Sequence, residues 1–200
     1  MEEKLRRYFG DSWYEALGDY LKSPEFLSIG RKVTEATKTT TVYPESELVF
    51  RCFRETPYDK VTTILCAQDP YFIKDVADGL AFSCSRSLHP QPSLKNMLIE
   101  IEHEYPENKY DIHDWRLDSI DLIKWAKQGV LLLNLALTMI KFENTEVMGW
   151  EAAIRGMRNP MNSWENSDSG ICFDTVACHT CRADRNHCKS RMENKEFCKK

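Results

Sequence analysis

Two short apolar runs set the pattern of the chain. Val61-Thr62-Thr63-Ile64-Leu65-Cys66 is β-branched and apolar, and it gives way at Gln68-Asp69-Pro70-Tyr71. Val130-Leu131-Leu132-Leu133 repeats the pattern and ends at Asn134. Continuous apolar runs of this length, bounded by polar or turn residues, read as strands buried on both faces. Proline has no backbone donor and restricts the residue before it, so the Asp69-Pro70 step ends the first run.

Helical spacing surrounds the strands. Residues 12–21 align Trp13, Leu17, Tyr20 and Leu21 on one face. A second helix is expected from Pro24, a good first-turn residue, with Phe26, Leu27, Ile29 and Val33 apolar. Tyr43-Pro44 reads as a turn, and Ser46 as the cap of a helix carrying Val49, Phe50 and Phe53. Residues 72–92, with Gly79, Pro90 and Pro92, form a long connection anchored by Gly79-Leu80-Ala81-Phe82-Ser83. Connections of that length are commonly functional. Ser93 is the expected cap of a helix bearing Leu94, Met97, Leu98 and Ile101, and 104–116 is polar and irregular. A helix over about 118–128 places Ile120, Ile123 and Ala126 together and stops at Gly129. A last helix starts at Gly149-Trp150 and breaks at Asn159-Pro160. The alternation predicts an α/β fold, a three-layer sandwich around a short, mainly parallel central sheet.

The carboxyl ends of parallel strands are where ligands bind in open α/β sheets. Asp69, beside Gln68 and Tyr71, could there orient a water or stabilise a developing cation. The Asn134 carboxamide offers a paired donor and acceptor, which suits the edge of a nucleobase. Phe82 could stack on a flat heterocycle. Each also has an ordinary reading: Asp69 and Asn134 as turn or cap residues, Phe82 as core.

Composition narrows the setting. Two hundred residues, 42% apolar and 11% aromatic, suit one globular domain. No apolar run approaches a membrane span and no signal peptide opens the chain, so a soluble intracellular protein is expected. The net charge of −4 excludes nucleic-acid binding driven by the whole-molecule field. Residues 171–200 carry +3 and the other 170 carry −7, so the basic character is local. Cys52, Cys66 and Cys84 lie in apolar surroundings and read as buried thiols. Cys172, Cys178, Cys181, Cys188 and Cys198 crowd the last thirty residues.

Several blocks together resemble family 1 uracil-DNA glycosylase. They are Gln68-Asp69-Pro70-Tyr71, Ala77-Asp78-Gly79-Leu80-Ala81-Phe82-Ser83, Pro92-Ser93-Leu94, Trp125 to Asn134 with Leu137-Thr138, and Gly149-Trp150-Glu151. Order and spacing match over roughly residues 40–155. The resemblance implies a base-excision repair enzyme that flips uracil out of single- or double-stranded DNA and hydrolyses its N-glycosidic bond. It implies a monomer, with no metal, no organic cofactor and no membrane partner. It implies that Asp69 orients the attacking water and stabilises the sugar cation. Gln68 would contact the base through its backbone N–H, and Tyr71 would exclude a 5-methyl group. Phe82 would stack on uracil, and Asn134 would read its Watson–Crick edge. Pro90, Pro92 and Ser93 would lie on a loop compressing the DNA backbone.

The chain departs from the family pattern in three places. Ala67 stands where the family motif has glycine, and Phe72 where it has histidine. After Ser169-Gly170-Ile171 the resemblance ends. The family's later strand and its His-Pro-Ser segment have no counterpart, so the sheet is expected to lack its last strand and the activity to be impaired. Residues 1–170 therefore read as the glycosylase-like domain and 171–200 as a divergent, basic, Cys-rich tail. The tail has three readings. Cys178-x-x-Cys181 with His187-Cys188 and Cys198 could bind zinc. It could be inert, or translated out of the ancestral frame. The zinc reading carries an alternative function, a catalytically impaired DNA-binding relic.

Overall fold

The computed structural model describes residues 1–104, 120–140, 149–150, 152–154, 156–157 and 173–175. Three helices open the chain: α1 (Glu2–Phe9), α2 (Asp11–Leu21) and α3 (Pro24–Ala36). Helix α3 starts as its residues dictate. Ser23 accepts the Phe26 N–H at 3.2 Å and Pro24 occupies the first turn. Helix α1 was not expected from the sequence. Its Leu5 and Phe9 are buried, and Phe9 packs its ring 5.0 Å from Phe53. Trp13 of α2 joins the same aromatic cluster, 4.9 Å from Phe53, and its Nε1–H donates to the Thr56 carbonyl at 2.7 Å. A buried indole needs such an acceptor, and here the chain leading into the sheet supplies it.

Strand β1 (Val42–Tyr43) precedes a short helix α4 (Arg51–Glu55). Residues 46–50 are turns, so Ser46 caps no helix and the helix begins later than its apolar spacing suggested. Strand β2 (Thr63–Ala67) follows, then the long connection, then α5 (Pro92–Glu104). Helix α5 begins at Pro92, whose missing N–H costs nothing in a first turn, so Ser93 lies inside the helix rather than capping it. Of the helix expected over 118–128, residues 118–119 lie outside the described residues; Ile120 is helical, and α6 (Ile123–Lys127) follows after a break. Asp121 interrupts it by accepting the Ile123 N–H at 3.0 Å, the local competition with the ladder that Asp favours. Gly129, at φ +97°, ends the helix as expected. Strand β3 (Val130–Asn134) occupies the predicted residues, and β4 (Met139–Ile140) pairs antiparallel with β1.

The central sheet runs β3-β2-β5, with β5 spanning Phe173–Thr175, and both pairings are parallel. Strand β5 falls inside the segment set apart from the resemblance. Leu131, Leu132 and Leu133 are all buried although successive residues face opposite sides, so both faces of β3 are covered. The fold is α/β. Positions 150, 152–154 and 156–157 are helical, in agreement with the predicted start of the last helix, whereas its predicted break at Asn159-Pro160 lies outside the described residues. Cys52 and Cys84 are buried, whereas Cys66 is half-buried. Burial pushes the Cys52 thiol up to about 12. No helix among the described residues is long and apolar enough to cross a membrane. Cys172, Cys178, Cys181, Cys188, His187 and Cys198 of the tail, and residues 105–116, lie outside the described residues.

Candidate active site

The site begins with strand register. Ala67 of β2 is paired with Asn134 of β3, and the ladder continues past both strands. Leu135 donates its N–H to the Ala67 carbonyl and Ala136 to the Gln68 carbonyl, each at 2.9 Å. Asn134 and Asp69 therefore leave the same sheet edge close together. Asp69, Pro70, Tyr71, Ala77, Gly79, Leu80, Phe82, Ser83 and Asn134 line a narrow cleft at that edge.

The connection after β2 folds back over the strand ends. Ala81 donates to the Leu132 carbonyl at 3.1 Å, using an outward acceptor on the edge strand β3. Gly79 makes the approach possible. It has φ +88°, and a Cβ there would collide with the Leu48 carbonyl. Phe82 is held at φ +64°, in the left-handed region that an aromatic residue rarely adopts. The Tyr71 hydroxyl donates to the Phe82 carbonyl at 3.2 Å. Burial, with Cys84 and Asp78 nearby, pushes the Tyr71 phenol up, so it remains a donor at neutral pH.

Asp69 is half-buried, and loss of solvent holds its carboxyl above the usual range. Among the described residues no group hydrogen-bonds its side chain. Asn134 is 7% exposed, and its Oδ1 has no hydrogen-bond partner among the described residues. A buried amide oxygen left unmatched costs stability unless a ligand or water meets it. The cleft thus combines a desolvated acid, an amide edge awaiting a partner and an aromatic ring. That set suits a small flat polar heterocycle.

Four expected site residues, Asp69, Tyr71, Phe82 and Asn134, meet at the cleft. Gln68 sits beside it with an exposed side chain and an engaged carbonyl. Pro90, Pro92 and Ser93 do not line it. Pro90 lies on the connection, while Pro92 and Ser93 form the first turn of α5 instead of a loop. Phe72 is 56% exposed just past the cleft residues. Sequence reasoning assigned nothing to Asp78, Ser83 or Arg51. Asp78 is 1% exposed and accepts from Ser83 Oγ at 2.6 Å, while Arg51 Nη1 lies 3.4 Å from its carboxylate. The signal for them was faint: an acid before a glycine inside an apolar anchor.

No protein-family profile matches the chain. A curated uracil-DNA glycosylase 1 of Listeria innocua is 34% identical over 156 residues, covering 77% of this chain and 67% of that protein. The chain belongs to the uracil-DNA glycosylase family. The uracil-DNA glycosylase of Saccharomyces cerevisiae is 40% identical over 129 residues, covering 64% of this chain and 34% of the relative. That of Dichelobacter nodosus is 35% identical over 156 residues, covering 74% and 66%. The chain thus spans from about a third to two thirds of the length of these curated relatives. Among solved structures, mimivirus uracil-DNA glycosylase superposes with a TM-score of 0.64 at 21% identity, covering 76% of this chain and 55% of that one. The UNG structure from Nitratifractor salsuginis gives 0.53 at 17% identity and covers 86% of each chain. Both show a shared uracil-DNA glycosylase fold.

Proposed function

We propose that this family member hydrolyses the N-glycosidic bond of uracil flipped out of DNA, leaving an abasic site. The observation that carries the reading is the unmatched Asn134 Oδ1, buried in the same cleft as Asp69 and Phe82. Uracil presents a ring N–H between two carbonyls. A carboxamide can accept from that N–H and donate to a neighbouring oxygen, whereas cytosine presents the reverse pattern. Phe82 stacks on the ring, and Tyr71 fills the space a 5-methyl group would need. The Gln68 backbone N–H meets a base oxygen.

In this mechanism the C1′–N bond breaks with its electron pair leaving on uracil, and positive charge builds on the sugar. The Asp69 carboxylate faces that charge, as carboxylates do in glycoside hydrolysis. It also orients a water that adds to C1′, and it accepts the proton the water releases. Desolvation strengthens its field on the cation, because the low-dielectric cleft screens it less. Extruding the base costs a few kcal/mol, least in single strands. Pro90, Pro92 and Ser93 hold the DNA backbone, the last two at the α5 N-terminus, where backbone N–H groups favour phosphate. The protein acts as a monomer on single- or double-stranded uracil-containing DNA.

The test is release of free uracil from a single-stranded uracil-containing oligonucleotide. Wild-type protein is expected to release it. Asn134→Asp, which replaces the amide donor with a charge, is expected to lower kcat/KM by about a hundredfold. Absence of free uracil with enzyme in excess over DNA overturns the reading.

A further inference from the structure

Asp78 is a buried carboxylate that the proposed chemistry does not use, and it does not line the cleft. Its partners have a pattern. One oxygen accepts the Leu80 N–H at 3.2 Å, and the other accepts Ser83 Oγ–H at 2.6 Å and the Ser85 N–H at 3.1 Å. Arg51 Nη1 approaches the second oxygen at 3.4 Å and donates to the Asp78 carbonyl at 3.1 Å. Ser83 Oγ also accepts the Leu122 N–H at 3.2 Å, which ties the network to the chain leading into α6. The three loop partners bracket Phe82. The carboxylate grips the backbone before it and after it, and between those grips Phe82 takes φ +64°. Nothing intrinsic to phenylalanine favours that conformation, so the surroundings must impose it.

We infer that Asp78 is a positioning residue for base recognition: with Ser83 and Arg51 it clamps residues 80–85 so that Phe82 is held in its left-handed conformation with its ring on the cleft. The inference rests on the uracil reading of the cleft. It assigns the buried acid a role in preorganisation, since a ring already ordered before binding spares the substrate the cost of ordering it. Without the clamp, residues 80–85 relax toward ordinary backbone conformations. Part of the binding free energy then goes into restoring Phe82.

A purely structural role would lower stability and leave the effects of Asp78 and Phe82 independent. A double-mutant cycle separates the two. Asp78→Asn keeps the shape but turns an amide donor toward the Ser85 N–H and Arg51. In the wild-type background it is expected to raise KM for uracil release by about thirtyfold with a smaller change in kcat. In a Phe82→Ala background the same change is expected to alter kcat/KM by less than about threefold, because the ring it positions is gone. Equal factors in both backgrounds overturn the inference, as does a fall in kcat with KM unchanged. Ser83→Ala removes one bond of the clamp and serves where Asp78→Asn does not fold. Its expected effect is about tenfold in KM, with the same dependence on Phe82. The Phe82 conformation is read separately by NMR, from its backbone coupling and chemical shifts in free protein. Wild-type protein that releases no uracil overturns the cleft reading. Phe82 shifts unchanged in both variants overturn the role of Asp78.

Discussion

Two aspartates nine positions apart on one connection have opposite surroundings. Asp78 is buried, and its carboxylate is met by two backbone N–H groups, a hydroxyl and a guanidinium. Asp69 is half-buried, and no described residue hydrogen-bonds its side chain. Burial without partners raises the Asp69 carboxyl above its ordinary range. The difference separates what each acid is free to do. A carboxylate whose lone pairs are filled by its own fold has little left for a substrate and serves to hold shape. A carboxylate partly withdrawn from water and met by no described side chain has more of its field free for whatever enters the cleft. The fold is stabilised by the first and strained by the second.

Substitutions can break this contrast at either end. The largest expected effect is that of Asp69→Asn, a loss of about a thousandfold in uracil release, measured by single-turnover kinetics. Its melting temperature at pH 7 is expected to equal or exceed that of wild type, because the neutral amide carries no desolvation cost. A variant that loses activity by melting would erase the contrast. Next is Arg51→Ala, which leaves the Asp78 charge without its cationic partner. Urea denaturation is expected to show a loss of about 3 kcal/mol. A loss under 1 kcal/mol would show that the N–H groups and Ser83 suffice. Gly79→Ala should cost about 2 kcal/mol in the same measurement, from the left-handed φ and the collision with Leu48.

The smallest effect is a pH dependence. The folded-state value of Asp69 lies above its unfolded value of about 3.9, so the fold favours the protonated form. That favourable contribution is fully present below the unfolded value and is lost as pH rises through the folded value. The melting advantage of Asp69→Asn should therefore appear above the folded value and vanish below about pH 4. The proposed role of Asp69 uses the ionised acid, so the acid limb of kcat/KM is expected to lie above the ordinary aspartate value. Melting curves of the two proteins across pH 3–8, set beside the pH–rate profile, test both statements.

Much of this arrangement was legible in the residues, for identifiable reasons. Val130–Asn134 could be bounded because four apolar residues sit between a helix-stopping glycine and an amide. The strand before Gln68 starts at Thr63 and includes Ala67, later at both ends than its apolar run suggested, because pairing with β3 sets the limits. Helix α1 was missed because five charged residues dilute a face of only Leu5 and Phe9, whose burial depends on rings from α3 and α4. Ser46 and Ser93 were misplaced as caps because capping chemistry is local and common, while helix starts here are decided by packing. Of the site, Asp69 and Asn134 were visible as polar ends of apolar strands. Asp78, Ser83 and Arg51 were not, since a buried ion pair spanning 27 positions leaves no periodic trace.

The sequence by itself determined the two buried strands, the polar residues at their ends and the glycine stop ahead of the second. Each follows from side-chain polarity and backbone freedom at neighbouring positions, which do not need the rest of the fold. Tertiary structure decided which ends share a cleft, because parallel register places Ala67 opposite Asn134. It also decided that Phe82 adopts a backbone conformation its own side chain disfavours, and that Asp69 loses part of its solvent without gaining a partner among the described residues while Asp78 is filled with bonds. Those outcomes depend on contacts between distant segments, and only the folded chain brings those segments together.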